Sequence, residues 1–90
     1  MSTLHILNKF PDHPRFRACL EAIAEGDTLL LIENGVLATL AAAGELPATT
    51  HTLAADLAAR GIRPAEGDTR VVDYAGMVRL TTTHSHIISW

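Results

Sequence analysis

Thr28-Leu29-Leu30-Leu31-Ile32 is the stretch on which the fold turns. It is apolar at consecutive rather than alternate positions, the pattern of a strand covered on both faces in a parallel sheet. Glu33-Asn34-Gly35 makes a tight turn at its carboxyl end, and Gly26 before it reads as a helix stop. Upstream, Leu4, Ile6 and Leu7 form a first short strand, and the loop Phe10-Pro11-Asp12-His13-Pro14 leads into a helix. Asp12 or His13 is placed to cap that helix, with Pro14 in the first turn, where a missing N–H costs nothing. Phe16, Cys19, Leu20 and Ile23 follow the i, i+3, i+4, i+7 spacing and share one helical face.

Downstream, Val36 to Ala43 is rich in alanine and leucine and predicts a helix ended by Gly44 and Pro47. Thr49 to Leu53 is a weaker strand, Ala54 to Arg60 a short helix stopped by Gly61, and Arg70-Val71-Val72 another short strand. Asp73 suits the N-cap of a following helix, with Val72 able to pack on Met77 across the cap. Tyr74, Met77, Val78 and Thr81 then lie on one side of that helix, and Ile87 to Trp90 reads as a last strand. Strand and helix alternate throughout, with connections too long for hairpins. This predicts a three-layer α/β/α sandwich around a mostly parallel five-stranded sheet, in one domain spanning residues 1–90.

Composition narrows the function classes. With 48% hydrophobic and 19% charged residues, the 90-residue chain reads as globular. A domain of this size buries only about 60–65% of its unfolded surface, so association with a partner is expected to add stability. Seven Lys and Arg against ten Asp and Glu give a net charge of −3, with the basic residues scattered, which disfavours direct nucleic-acid binding. No apolar run approaches the ~18 residues of a membrane span, and the N-terminus lacks a secretory signal pattern. With a single cysteine, the expectation is a soluble cytoplasmic protein.

Cys19 is the one soft nucleophile. Its shared face with Phe16, Leu20 and Ile23 fits a packing cysteine, whereas nearby Arg15 and Arg17 fit a functional thiol, and both readings stand. Of five histidines, only His84 and His86 are spaced to share a strand face, too few ligands for a metal centre. No metal and no cofactor are expected. Glu33-Asn34-Gly35 has one glycine and a carboxylate where a phosphate would sit, so a nucleotide loop is disfavoured. The loops beginning at Asn8, Glu33 and Asp73 mark the carboxyl edge, where a stand-alone small-ligand domain would bind. Trp90 fits either core closure or an interface anchor, and the Val36 to Ala43 face is a second interface candidate.

Five segments in register resemble the DsrH/TusB family of sulfur-relay proteins. They are Leu4 to Lys9, Glu25 to Val36, Asp56 to Gly61, Val72 to Thr81 and His84 to Trp90. The resemblance implies a DsrE/F/H-type domain in a cytoplasmic heterohexamer with homologous TusC/DsrF-like and TusD/DsrE-like subunits. That assembly relays persulfide sulfur from a TusA-like donor to a TusE/DsrC-like acceptor, for 2-thiolation of the tRNA wobble uridine or for dissimilatory sulfur oxidation. In the family the principal sulfur-carrying cysteine lies on the TusD/DsrE-type subunit, which implies an accessory, non-catalytic role here. Cys19 matches a cysteine of DsrH-type members, which implies the alternative that it carries persulfide itself. Between Val36 and Thr52 the chain is shorter than familiar members, with Gly44-Glu45-Leu46-Pro47 in place of a longer helix and loop.

Overall fold

The computed structural model describes residues 2–90. Strands β1 (Thr3–Leu7), β2 (Thr28–Leu31), β3 (Thr50–Leu53), β4 (Val71–Val72) and β5 (His86–Ser89) form one sheet in the order β4-β3-β2-β1-β5. Every pairing is parallel, so the sheet is wholly rather than mostly parallel. Helices α1 (Pro14–Ala22), α2 (Ala38–Ala41), α3 (Ala54–Ala59) and α4 (Tyr74–Thr83) connect the strands.

The strand order dictates the layers. From β1 to β4 the chain steps in one direction across the sheet, so right-handed crossovers stack α1, α2 and α3 on one face. The step from β4 to β5 runs back across the whole sheet, which puts α4 on the other face. Side chains agree with this. Leu7 and Leu31, level in register, and Leu29 on the same face pack with Phe16, Cys19, Val36 and Leu57 in the main core. Leu4, Thr28 and Leu30 point the other way, and Thr28 bonds to His84 at the end of α4. Each large apolar side chain buried in the core contributes about 1.5–3 kcal/mol relative to exposure.

Helix α1 begins as its sequence predicts, with the His13 side chain accepting from the Arg15 N–H and Pro14 in the first turn. It ends at Ala22, earlier than Gly26 suggested, because Ile23 turns extended (φ −71°, ψ 123°), and Gly26 instead sits in the following turn with φ of 90°. The predicted helix from Val36 to Ala43 is broken into a 3-10 segment Glu33–Leu37, the four-residue α2 and a 3-10 turn Ala43–Glu45. No side chain caps either of the first two pieces. The 3-10 segment is also pressed against β1: a Cβ on Gly35 would strike the Leu7 carbonyl group. Val36 and Ala38 are consequently buried in the core, which removes most of the interface face expected there and leaves Leu40 as the exposed large residue.

At α4, Asp73 Oδ1 accepts from the Gly76 N–H at 2.7 Å, as its capping role requires. The stripe Tyr74, Met77, Val78 and Thr81 divides, however. Gly76 is buried against Val72, Met77 and Thr81 are half-buried, and Tyr74 and Val78 face outward. The close approach at Gly76 sets which side of the helix meets the sheet. No helix among the described residues is long and apolar enough to cross a membrane.

Replacing Gly35 by Ala forces a methyl group onto the rigid Leu7 backbone, so Gly35→Ala is expected to lower stability by about 1–3 kcal/mol. Gly44 faces open space, and Gly44→Ala is expected to stay within about 0.5 kcal/mol of the parent. Urea unfolding midpoints at constant slope measure both.

Candidate functional site

Three features bear on function: the lone thiol, the carboxyl edge of the sheet, and the exposed residues of α4 and β5. Cys19 lies in the second turn of α1 with 0% exposure, in the cluster with Leu7, Phe16 and Val36. Burial away from water pushes its thiol up to about 12, since the thiolate would lose its hydration there. Arg17, two residues away, is directed instead to Glu45, which its Nη2 reaches at 2.5 Å. Among the described residues the arrangement therefore offers Cys19 no partner that stabilises a thiolate, and its burial keeps it from an incoming persulfide.

At the carboxyl edge, the Glu33 and Gly35 N–H groups are spent within the chain. Glu33 adopts a left-handed φ of 49°, and its N–H donates to Asp56 Oδ2 at 2.7 Å. The Gly35 N–H donates to the Ile32 carbonyl, and Asn34 Oδ1 accepts from Arg60 Nη2 at 3.1 Å. An Asp56 carboxylate thus occupies the place at which a bound anion would accept from Glu33.

The expected pairing of His84 and His86 does not form. His84 follows the last residue of α4, with its ring nitrogens bonded to the Leu80 carbonyl (2.7 Å) and the Thr28 hydroxyl (2.9 Å), and only His86 is on a strand. No group of three or more His, Cys, Asp or Glu side chains gathers among the described residues.

Sequence reasoning passed over the most organised polar cluster. His5, in the middle of β1, is buried, and its Nε2 lies 3.0 Å from Asp27 Oδ2. Its Nδ1 lies 3.1 Å from Trp90 Nε1, and the two rings stack with centroids 6.0 Å apart. An indole N–H can only donate, so Nδ1 presents its lone pair and Nε2 carries the proton that is donated to Asp27. Asp27 also accepts from the Thr3 N–H and the Ala24 N–H, each at 3.0 Å. These hydrogen bonds, with that of Ala24 foremost, hold its carboxyl at about 2, below the ordinary 3.8. Trp90 is held further by its own N–H on the Ile6 carbonyl (2.9 Å) and by Lys9 Nζ on its backbone oxygen (2.8 Å). A histidine within an apolar strand and an aspartate at the start of the next were the available signals. Both expectations for Trp90 bear on this position: it is half-buried and packs against the core.

The network fixes β5 against β1 from within, while the outside of the same unit is apolar. Tyr74 and Val78 on α4 are 59% and 57% exposed, and Ile87 and Ile88 on β5 are 47% and 43% exposed. β5 pairs only with β1, so its other edge has an unpaired row of backbone groups. Exposed apolar side chains on a helix and an edge strand are of the kind found at protein interfaces.

Comparison with known proteins adds to this geometry. A family profile described as "DsrH like protein" matches residues 11–87. The chain is 37% identical over 94 residues to Protein TusB of Shigella dysenteriae serotype 1 (strain Sd197), covering 97% of this chain and 99% of that protein. It is 36% identical over 94 residues to Protein TusB of Escherichia coli O139:H28 (strain E24377A / ETEC), with the same coverage.

The depressed Asp27 carboxyl gives stability a definite pH dependence. The unfolded chain takes up the proton first, so the contribution is complete above the ordinary 3.8 and is lost as pH falls toward about 2. Acid unfolding followed by the fluorescence of the single tryptophan is expected to show a stability decline across that window. In Asp27→Asn the decline shrinks and the variant is less stable at pH 7.

Proposed function

The chain belongs to the DsrH/TusB family, and from that membership we propose that it serves as an accessory subunit of a cytoplasmic sulfur-relay assembly. The TusB relatives favour the branch that leads to tRNA wobble uridine 2-thiolation over the branch for sulfur oxidation. Its partners on this reading are TusC/DsrF-like and TusD/DsrE-like subunits in a heterohexamer. Sulfur enters that assembly from a TusA-like donor and leaves to a TusE-like acceptor.

One observation carries the accessory role: the thiol is sealed in the core while apolar side chains of α4 and β5 are left exposed. Persulfide relay requires an acceptor thiolate to attack the outer sulfur of a donor persulfide, with the donor thiolate leaving. A cysteine without exposure and with its thiol pushed up to about 12 is poorly suited to either part. The alternative, in which Cys19 carries the sulfur, needs α1 to open first. The exposed residues of α4 and β5 instead suit burial against sister subunits, for which large aromatic and branched apolar side chains are good anchors.

Co-expression with the two homologous subunits is expected to give one assembly that elutes together, and persistent separation would end the proposal. In that assembly Cys19→Ala is expected to retain wild-type tRNA 2-thiolation. A fall of tenfold or more on the order of a catalytic loss, with the assembly intact, would transfer the carrier role to Cys19.

A further inference from the structure

We propose that a cavity on the α1–α3 face of the sheet, over β3 and β4, binds a small amphipathic monoanion, an apolar carboxylic acid whose carboxylate meets Arg63. The cavity is lined by no residue of α4 or β5, and it does not depend on the sulfur-relay reading. Its volume is about 340 Å³, within the roughly 300–1,000 Å³ typical of small-molecule clefts.

The cavity opens beside α3, where α2 ends after four residues and the backbone turns through Ala43–Glu45 to Pro47. The sheet presents Thr50, Thr52 and Val71 as the floor, and Leu46, Leu57 and Ile62 form apolar walls. The two threonines differ. The Thr50 hydroxyl donates to the Pro47 carbonyl at 2.6 Å, whereas Thr52 lines the cavity without such a bond.

The rim carries Arg63, Asp68 and Arg70. Asp68 accepts from Arg70 through Nε and Nη2, each at 3.2 Å, and from the Arg70 backbone N–H at 3.0 Å. This pair neutralises itself. Arg63 forms no ion pair among the described residues, so the mouth holds one uncompensated cation. A guanidinium presents a planar fork suited to a carboxylate, and the apolar walls suit a hydrocarbon body. One cation above an apolar slot selects a single anionic group on an apolar chain.

Octanoate titrated into the 15N-labelled full chain tests this. Saturable amide shifts are expected at Leu46, Thr52, Ile62 and Val71, with octanol and octylamine at least about fivefold weaker. Arg63→Gln, an exposed substitution that leaves the core untouched, is expected to weaken octanoate about fivefold to tenfold and leave octanol unchanged. Ala48→Phe, filling the cavity from its exposed margin, is expected to abolish the shifts while the rest of the spectrum persists. The proposal is overturned by octanol binding as tightly as octanoate, by indifference to Arg63→Gln, by shifts confined to α4 and β5, or by no saturation at millimolar octanoate.

Discussion

The Asp27 carboxylate is the point at which this small sheet is tied together. It lies at the entry to β2, yet it accepts from the first residue of β1, from the start of the α1–β2 connection and from the imidazole of His5. Its backbone carbonyl accepts from the Thr49 hydroxyl just before β3. A buried carboxylate is tolerable only when its oxygens are satisfied, and here they are satisfied by groups from several separate segments. A one-residue slip of β1 against β2 would move His5 to the other face and leave Asp27 without that donor. Register, burial and charge satisfaction are thus one constraint.

The constraint propagates to the last strand. His5 can accept from Trp90 only while its proton is on the Asp27 side, so the carboxylate indirectly orients the ring that holds the end of the chain. β5 is fixed at the margin of the sheet with both of its isoleucines partly in water. The main core, against which Trp90 packs, closes around Cys19. A chain that shelters its thiol and exposes a rigid apolar margin suits a part within an assembly better than a free-standing carrier of reactive sulfur.

Much of the fold was legible because it rests on local pattern. The unbroken apolar run of β2, the His13 and Pro14 start of α1 and the Asp73 cap each depend on neighbours in sequence, and each is present. The misreadings have a common cause. The Val36 to Ala43 segment is helical by composition, but contact with Leu7 and the lack of capping side chains break it. The outward stripe of α4 follows from the fit of Gly76 on Val72, which periodicity cannot see. His5, Asp27 and Trp90 are separated by 22 and 85 positions, so only the parallel register brings them together. The buried state of Cys19 was foreshadowed by its face, while the exposed margin required the strand order.

Hydrogen–deuterium exchange of the chain, alone and co-purified with its two homologous subunits, tests the link between the exposed margin and assembly most directly. The expected result is added protection concentrated in Tyr74 to Ser89, with the Cys19 turn of α1 equally protected in both states. Protection gained around α1 instead, with α4 and β5 exchanging as they do in the isolated chain, would contradict it.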